Sequence, residues 1–316
     1  MKFKSNDTIL PLMVVSWTIY YILCDKLIDL FGSPFYVGFL LRVITIIGLT
    51  IYFGVQRTFK FDFNKRKFPL VVITALTAFA FDCLINVALQ YSSASTGTAL
   101  LKTEMIFVLA INAISGKVKI KLIDLLLVLL MSSGSTMIVL RDFSTFRVDL
   151  WSMLFVISAL LNSICAFLIK KMQTNLAINS NQIVYINNVV SCIMYFILSF
   201  CITRASFVEY SRMLNANSIS VLLICGFCQI TLMLTYYSAL GKYPVWIVKV
   251  VLLVIPILTL VWDGIFKGTT FTPLQLIGIV LTIMSAGAMI GRTKANRKKL
   301  TYDKLAVTGK KDNLDV

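Results

Sequence analysis

Apolar stretches of 18 residues or more recur from near the first residue of this chain to about residue 291. Each is long enough to cross a ~30 Å hydrocarbon core as a helix. No arrangement in water could bury them all, so the pattern excludes a soluble globular fold. Composition agrees. Of 316 residues 58% are hydrophobic and 14% charged, with a mean hydropathy of +0.87. A soluble domain carries about a quarter charged residues.

Ten helical spans are predicted, over approximately 9–25, 35–55, 69–90, 94–114, 121–140, 150–169, 182–203, 218–240, 244–265 and 272–291. The expected class is an all-α polytopic membrane protein. Connections are short and carry breakers such as Gly32-Ser33-Pro34 and Gly268-Thr269-Thr270. Span one runs into Asp25-Lys26 rather than a small-residue cleavage site, so it reads as retained. Residues 292–316 read as a basic cytoplasmic tail without regular structure.

The net charge of +16 would suggest nucleic acid in a soluble protein, but its distribution points elsewhere. With the N-terminus inside, 21 of the 30 Lys and Arg fall on the inner side, six on the outer side and three within spans. That asymmetry orients ten spans with both termini cytoplasmic, in what is expected to be a plasma (inner) membrane. The basic tail would attract anionic lipid headgroups, and nucleic acid is not needed as a partner. There is no His, and all seven Cys but few lie in apolar runs, so no disulfide framework, metal site or cofactor is expected. Cys225 and Cys228 form a C-x-x-C inside a span, with no second pair, and read as packing.

The halves correspond at a nearly constant offset. Trp17…Lys26…Arg42 precedes Leu161/Asn162…Lys171…Asn187 by about 145 residues; Ala88-Leu89…Ser93 precedes Ala239-Leu240…Pro244 by 151; Ser132–Ser135 precedes Met284–Gly287 by 152. Five spans per half forces the second half to enter the membrane in the opposite sense, as two inverted five-helix repeats. The repeats are drawn as 1–145 and 146–291, followed by the tail at 292–316.

Several residues carry a family resemblance: Trp17 with Lys26, Pro34 with Arg42, Ala88-Leu89-Gln90-Tyr91-Ser92-Ser93-Ala94 and its echo Tyr237-Ser238-Ala239-Leu240-Gly241 to Pro244, and Pro256 followed by Pro273–Leu281. In their order and spacing these resemble the drug/metabolite transporter superfamily in its ten-span form with two EamA-like repeats. The resemblance covers residues ~9 to ~291 and implies a secondary transporter. Two departures stand out. Met105 occupies a position where the first repeat of the family usually has Pro, and the acidic residue common after spans four and nine is missing. Both point to a specialised member.

Ionisable groups within spans cost some ~2.5–3.5 kcal/mol each on insertion scales and need a partner, an aqueous cavity or a function. The interior set is Arg42, Asp82, Lys102, Glu104 and Lys249, with net charge +1. On a regular span four, Ser95, Thr98, Lys102, Met105 and Asn112 share a face, and Glu104 points away toward a neighbouring helix. Asp82 and Asn86 lie one turn apart in span three, placed to counter Arg42 or Lys102 or to serve as a coupling site. Lys249 shares a face with Pro256 and Asp263, but lies ~21 Å from the latter along a helix. An anionic substrate group is therefore its expected partner. Lys102, Lys249, Thr98, Asn112, Trp17, Tyr21, Tyr185, Asn188, Gln229 and Tyr236 are the candidate substrate pathway; Asp82, Glu104 and Arg42 are candidate coupling or counter-ion groups.

A positive interior suits an anion or zwitterion. The expected function is secondary active transport of a small polar metabolite, an amino acid or related compound, by proton coupling or exchange, as a monomer or homodimer. The alternatives are a sugar-phosphate or nucleotide-sugar exchanger, or a lipid-linked carrier flippase subunit. An enzyme is not expected, since no nucleophile sits beside an evident base and no nucleotide-binding loop is present.

Overall fold

A computed structural model of the chain describes residues 8–57, 67–91, 100–115, 121–140, 150–202, 215–268 and 270–311. The described residues form helices and no strands. Spans one to three are Ile9–Phe31, Pro34–Val55 and Phe68–Tyr91. Span four is described over the helix Glu104–Ile114, and span five is Leu122–Val139. Spans six to eight are Met153–Asn175, Ser180–Ile197 (continued by a π-turn to Ile202) and Ala216–Lys242. Span nine comprises Val245–Leu252 and Ile255–Lys267, and span ten is Pro273–Lys311. Nine spans are long and apolar enough to cross a membrane among the described residues, and Glu104–Ile114 adds a shorter apolar helix.

Three boundaries depart from expectation. Span one continues through Asp25-Lys26 to Phe31, where Gly32 at φ 66° turns the chain and donates its N–H to the Ile28 carbonyl. Span six likewise continues through Lys170-Lys171 to Asn175. Charged residues there mark a helix leaving the apolar layer, not its end. Span ten continues as helix to Lys311, where an irregular tail was expected. Residues 292–308 contain neither Gly nor Pro and are rich in Lys, Arg, Ala and Leu, all good helix formers.

The helices pair as an inverted repeat requires. Span one packs on eight as three packs on six; eight packs on two as three packs on seven; nine packs on one as four packs on six. Spans two and seven pack on each other, as do five and ten, so each of those pairs maps onto itself. The closest approach joins five and ten, where Gly134 and Gly278 cross. A Cβ on Gly278 would lie 2.6 Å from the Gly134 carbonyl oxygen.

Span four is not the regular helix the sequence predicts. Helix at Leu100-Leu101 gives way to a turn at Lys102-Thr103 before Glu104. Span nine breaks in the same way at Leu253-Val254, 151 residues later. Pro256, which lacks an N–H to donate, accounts for the second break. Met105, its repeat mate, has no such effect. The first break is held instead by Thr103, whose Oγ1 donates to the Leu100 carbonyl at 2.7 Å while its N–H makes a tight i→i−3 bond to the same oxygen. The Lys102 carbonyl accepts from the Met105 N–H at 3.3 Å and from Ser132 Oγ at 3.2 Å.

The largest buried cluster lies at the N-terminal side of the bundle, the side on which span one begins. It joins Met13, Phe53, Val71, Val108, Met172, Ile183, Leu240, Tyr243 and Val248 from eight of the spans. Toward the opposite side, two smaller clusters join spans one, two and eight (Leu27, Tyr36, Leu222) and spans two, three and seven (Phe35, Phe79, Tyr195).

Candidate functional site in the bundle interior

Two ion pairs sit within the bundle, at spans where the sequence places charge. Arg42 donates from Nη2 to Asp82 Oδ2 at 3.3 Å and from Nη1 to Asn188 Oδ1 at 3.1 Å. The Asp82 carboxylate also accepts from the Tyr195 hydroxyl. Tyr20 and Tyr237 lie within electrostatic reach of the guanidinium. This network joins spans two, three and seven. A buried cation with its counter-ion and an amide is the arrangement that makes its burial tolerable.

In the second pair, Lys249 Nζ lies 2.5 Å from Glu104 Oε1, with the lysine side chain only 2% exposed. Its ammonium also stands 5.2 Å from the Tyr236 ring centroid, within cation–π range. Lys249, for which an anionic substrate group is the expected partner, has a carboxylate partner within the chain in Glu104. Glu104, expected from the helix face to point toward a neighbouring helix, reaches Lys249 of span nine.

Lys102 is the cation left over. Among the described residues its ammonium makes no hydrogen bond or ion pair, although it senses Glu104 and Lys249 electrostatically. The interior excess of +1 therefore resides on one residue, at a helix break. Thr98 lies outside the described residues, as does the Asn86 side chain. Asn112 is half-buried, ten residues beyond Lys102 toward the N-terminal side.

Aromatic rings connect the two charged centres. Trp17 packs edge-on against Tyr236 with centroids 5.3 Å apart, and tilts against Tyr21 at 6.3 Å. Tyr21 meets Tyr20 at 5.9 Å. Tyr21 is half-exposed and lies within electrostatic reach of Asp82, Glu104 and Lys249. Asn187 donates to the Tyr237 hydroxyl at 2.5 Å and leaves its own Oδ1 unpaired, as Gln229 leaves Oε1. Arg42 Nε is likewise without a partner among the described residues. Each unsatisfied buried group costs roughly 1–3 kcal/mol, which a bound solute could offset.

Tyr185 falls elsewhere. It contacts Thr50 (3.2 Å between hydroxyls) and Phe53, between spans two and seven at the N-terminal side. Sequence reasoning missed Tyr195, Asn187 and Tyr237. Tyr195 and Asn188 lie seven residues apart, two helical turns on one face of span seven, a signal that could have been read. Among the described residues, no group of His, Cys, Asp or Glu could hold a metal ion.

The described residues define a polytopic helical bundle with charged and polar groups in its interior and an inverted-repeat pairing of helices. Comparison with known proteins gives the class: the EamA-like transporter family model matches residues 7–140 and 149–291. The chain belongs to the EamA-like transporter family and is an integral, multi-pass membrane transporter of the drug/metabolite transporter superfamily. No curated protein matches it. A solved structure titled only as a crystal structure of a protein superimposes with a TM-score of 0.71, covering 89% of this chain and 95% of that one at 11% identity. At that identity the likeness concerns fold alone.

Proposed function

We propose that this transporter carries a small anionic or zwitterionic metabolite bearing a carboxylate, an amino acid or a close relative, by alternating access with proton coupling or exchange. The observation that carries this reading is Lys102, the one interior cation whose neighbouring charges, Glu104 and Lys249, already neutralise each other. A single positive charge matches one carboxylate, and the unpaired Asn187 and Gln229 carbonyls are acceptors for an ammonium or hydroxyl. Because Glu104 neutralises Lys249, the paired lysines that would favour a phosphate dianion are reduced to one. The positive-inside bias supports cytoplasmic termini in a plasma membrane. Anionic lipids are the expected neighbours of the basic C-terminal segment.

The test is ligand-induced thermal stabilisation of the purified protein by the twenty amino acids, by small mono- and dicarboxylates and by phosphorylated sugars. Saturation at 100 times Kd stabilises by about 2.7 kcal/mol. Protection by an amino acid or carboxylate, lost in Lys102→Met, is expected. Protection confined to phosphorylated sugars, or unchanged in Lys102→Met, contradicts the reading.

A further inference from the structure

Arg42 Nε, Asn187 Oδ1 and Gln229 Oε1 are buried and make no hydrogen bond among the described residues. Each of the three residues is more than nine-tenths buried. Two of them meet at one place. Asn188 accepts from Arg42 Nη1, and Asn187, the residue before it on span seven, donates to the Tyr237 hydroxyl of span eight. That tyrosine lies within electrostatic reach of the guanidinium. An unused N–H of span two and an unused carbonyl of span seven are thus brought to the same ring, where spans two, seven and eight pack on one another. Gln229 stands apart, eight residues before Tyr237, or ~12 Å along span eight.

Charge decides what this corner can receive. Asp82 already balances Arg42, at 3.3 Å. A carboxylate arriving at Nε would face the Asp82 carboxylate across one guanidinium, and an ammonium arriving at Asn187 would face the guanidinium itself. Like charges repel strongly at such range where water is excluded. A neutral group that accepts on one side and donates on the other meets no such opposition. A carboxamide does both: its carbonyl oxygen takes the Nε–H, and its NH2 donates to Asn187 Oδ1. A ligand lacking either half leaves a buried donor or acceptor unpaired, which is how such a site discriminates. Asp82 is one-third exposed, so solvent reaches the ion pair from that side.

We propose that Arg42 and Asn187 form a specificity subsite for a carboxamide, and that the transported metabolite is an amino acid with an uncharged amide side chain. This assignment rests on the reading above, in which Lys102 receives the substrate carboxylate, and it divides the remaining polar groups by charge. Asn187, set beside a guanidinium, serves the neutral side chain. Gln229, two helical turns away, is left to accept from the substrate ammonium. Both orphan atoms at the Arg42 corner are closed off from water in this state. The subsite is therefore filled when the repeats move, as alternating access requires.

The experiment is ligand-induced thermal stabilisation of the full chain in detergent by L-glutamine, L-asparagine, L-glutamate, L-leucine, L-homoserine and γ-aminobutyramide, which is glutamine without its carboxylate. Glutamine or asparagine is expected to protect at concentrations about tenfold or more below glutamate, leucine and homoserine. Asn187→Leu is expected to erase that preference. Tyr237→Phe, which removes only the hydroxyl that Asn187 holds, should weaken it, so the subsite can be read even if Asn187→Leu folds poorly. Equal protection by glutamine, glutamate and leucine, a preference for homoserine, no protection by any amide, or an amide preference that persists in Asn187→Leu overturns the proposal. Protection by γ-aminobutyramide should survive Lys102→Met and be lost in Asn187→Leu. If it does so while glutamine binds no better than this analogue, the subsite stands and the carboxylate reading fails. Protection by amino acids that depends on Lys102 but shows no amide preference contradicts the subsite alone.

Discussion

Arg42 and Asn188 hydrogen-bond at 3.1 Å, and each is the ninth residue of its helix, span two and span seven respectively. Spans two and seven pack together and are mates in the inverted repeat, so this bond crosses between the repeats. Asp82, on span three, is the carboxylate that pairs with Arg42. Arg42→Met leaves the Asp82 carboxylate, one-third exposed, with only Tyr195 for company. It should lower stability by about 2–4 kcal/mol, and Arg42→Met with Asp82→Asn should recover a large part of this. A double-mutant cycle on thermal unfolding in detergent reads the coupling.

The Glu104–Lys249 pair makes a different demand. Glu104→Gln leaves a nearly inaccessible ammonium facing a neutral amide and the Tyr236 ring, and should cost about 3–5 kcal/mol. Glu104→Gln combined with Lys249→Met removes the orphan charge and should restore most of the loss. Thermal melts of the three variants check it; a fully additive double variant would mean that the two residues do not act as a pair.

Gly278 has backbone where a Cβ would go, 2.6 Å from the Gly134 carbonyl oxygen and 2.9 Å from the Ile138 nitrogen. Gly278→Ala must push spans five and ten apart and should destabilise by roughly 1–3 kcal/mol. Gly287, on the same helix, has nothing within 4 Å of its Cβ position. Gly287→Ala should be neutral or stabilising by up to about 1 kcal/mol. Matched melting curves distinguish the crossing point from the rest of the helix.

How far the sequence speaks depends on whether a feature is local. Spans are legible because crossing an apolar layer demands a run of apolar residues, and the inverted arrangement follows from an odd number of them per repeat. Helix ends beyond that layer are not. Asp25-Lys26 and Lys170-Lys171 look like loops, yet the helices run five and four residues past them. The break at Lys102-Thr103 was hidden because Met105 carries no signal of its own and Thr103 acts through a side-chain bond to Leu100. Glu104 reaches span nine, and Lys249 is spoken for. The five interior charges could be found by inspection; their partners are a property of packing.

Lys102 is where those pairings leave unbalanced charge, and it is the residue on which the functional account turns. Its side chain bonds to no described residue, so Lys102→Met removes an unpaired interior charge and should keep or raise the melting temperature of the parent. The direct measurement is counterflow uptake of radiolabelled amino acids into proteoliposomes holding the parent or Lys102→Met. Uptake by the parent and its loss in a variant that melts normally is the predicted result. Undiminished uptake by Lys102→Met would contradict the account.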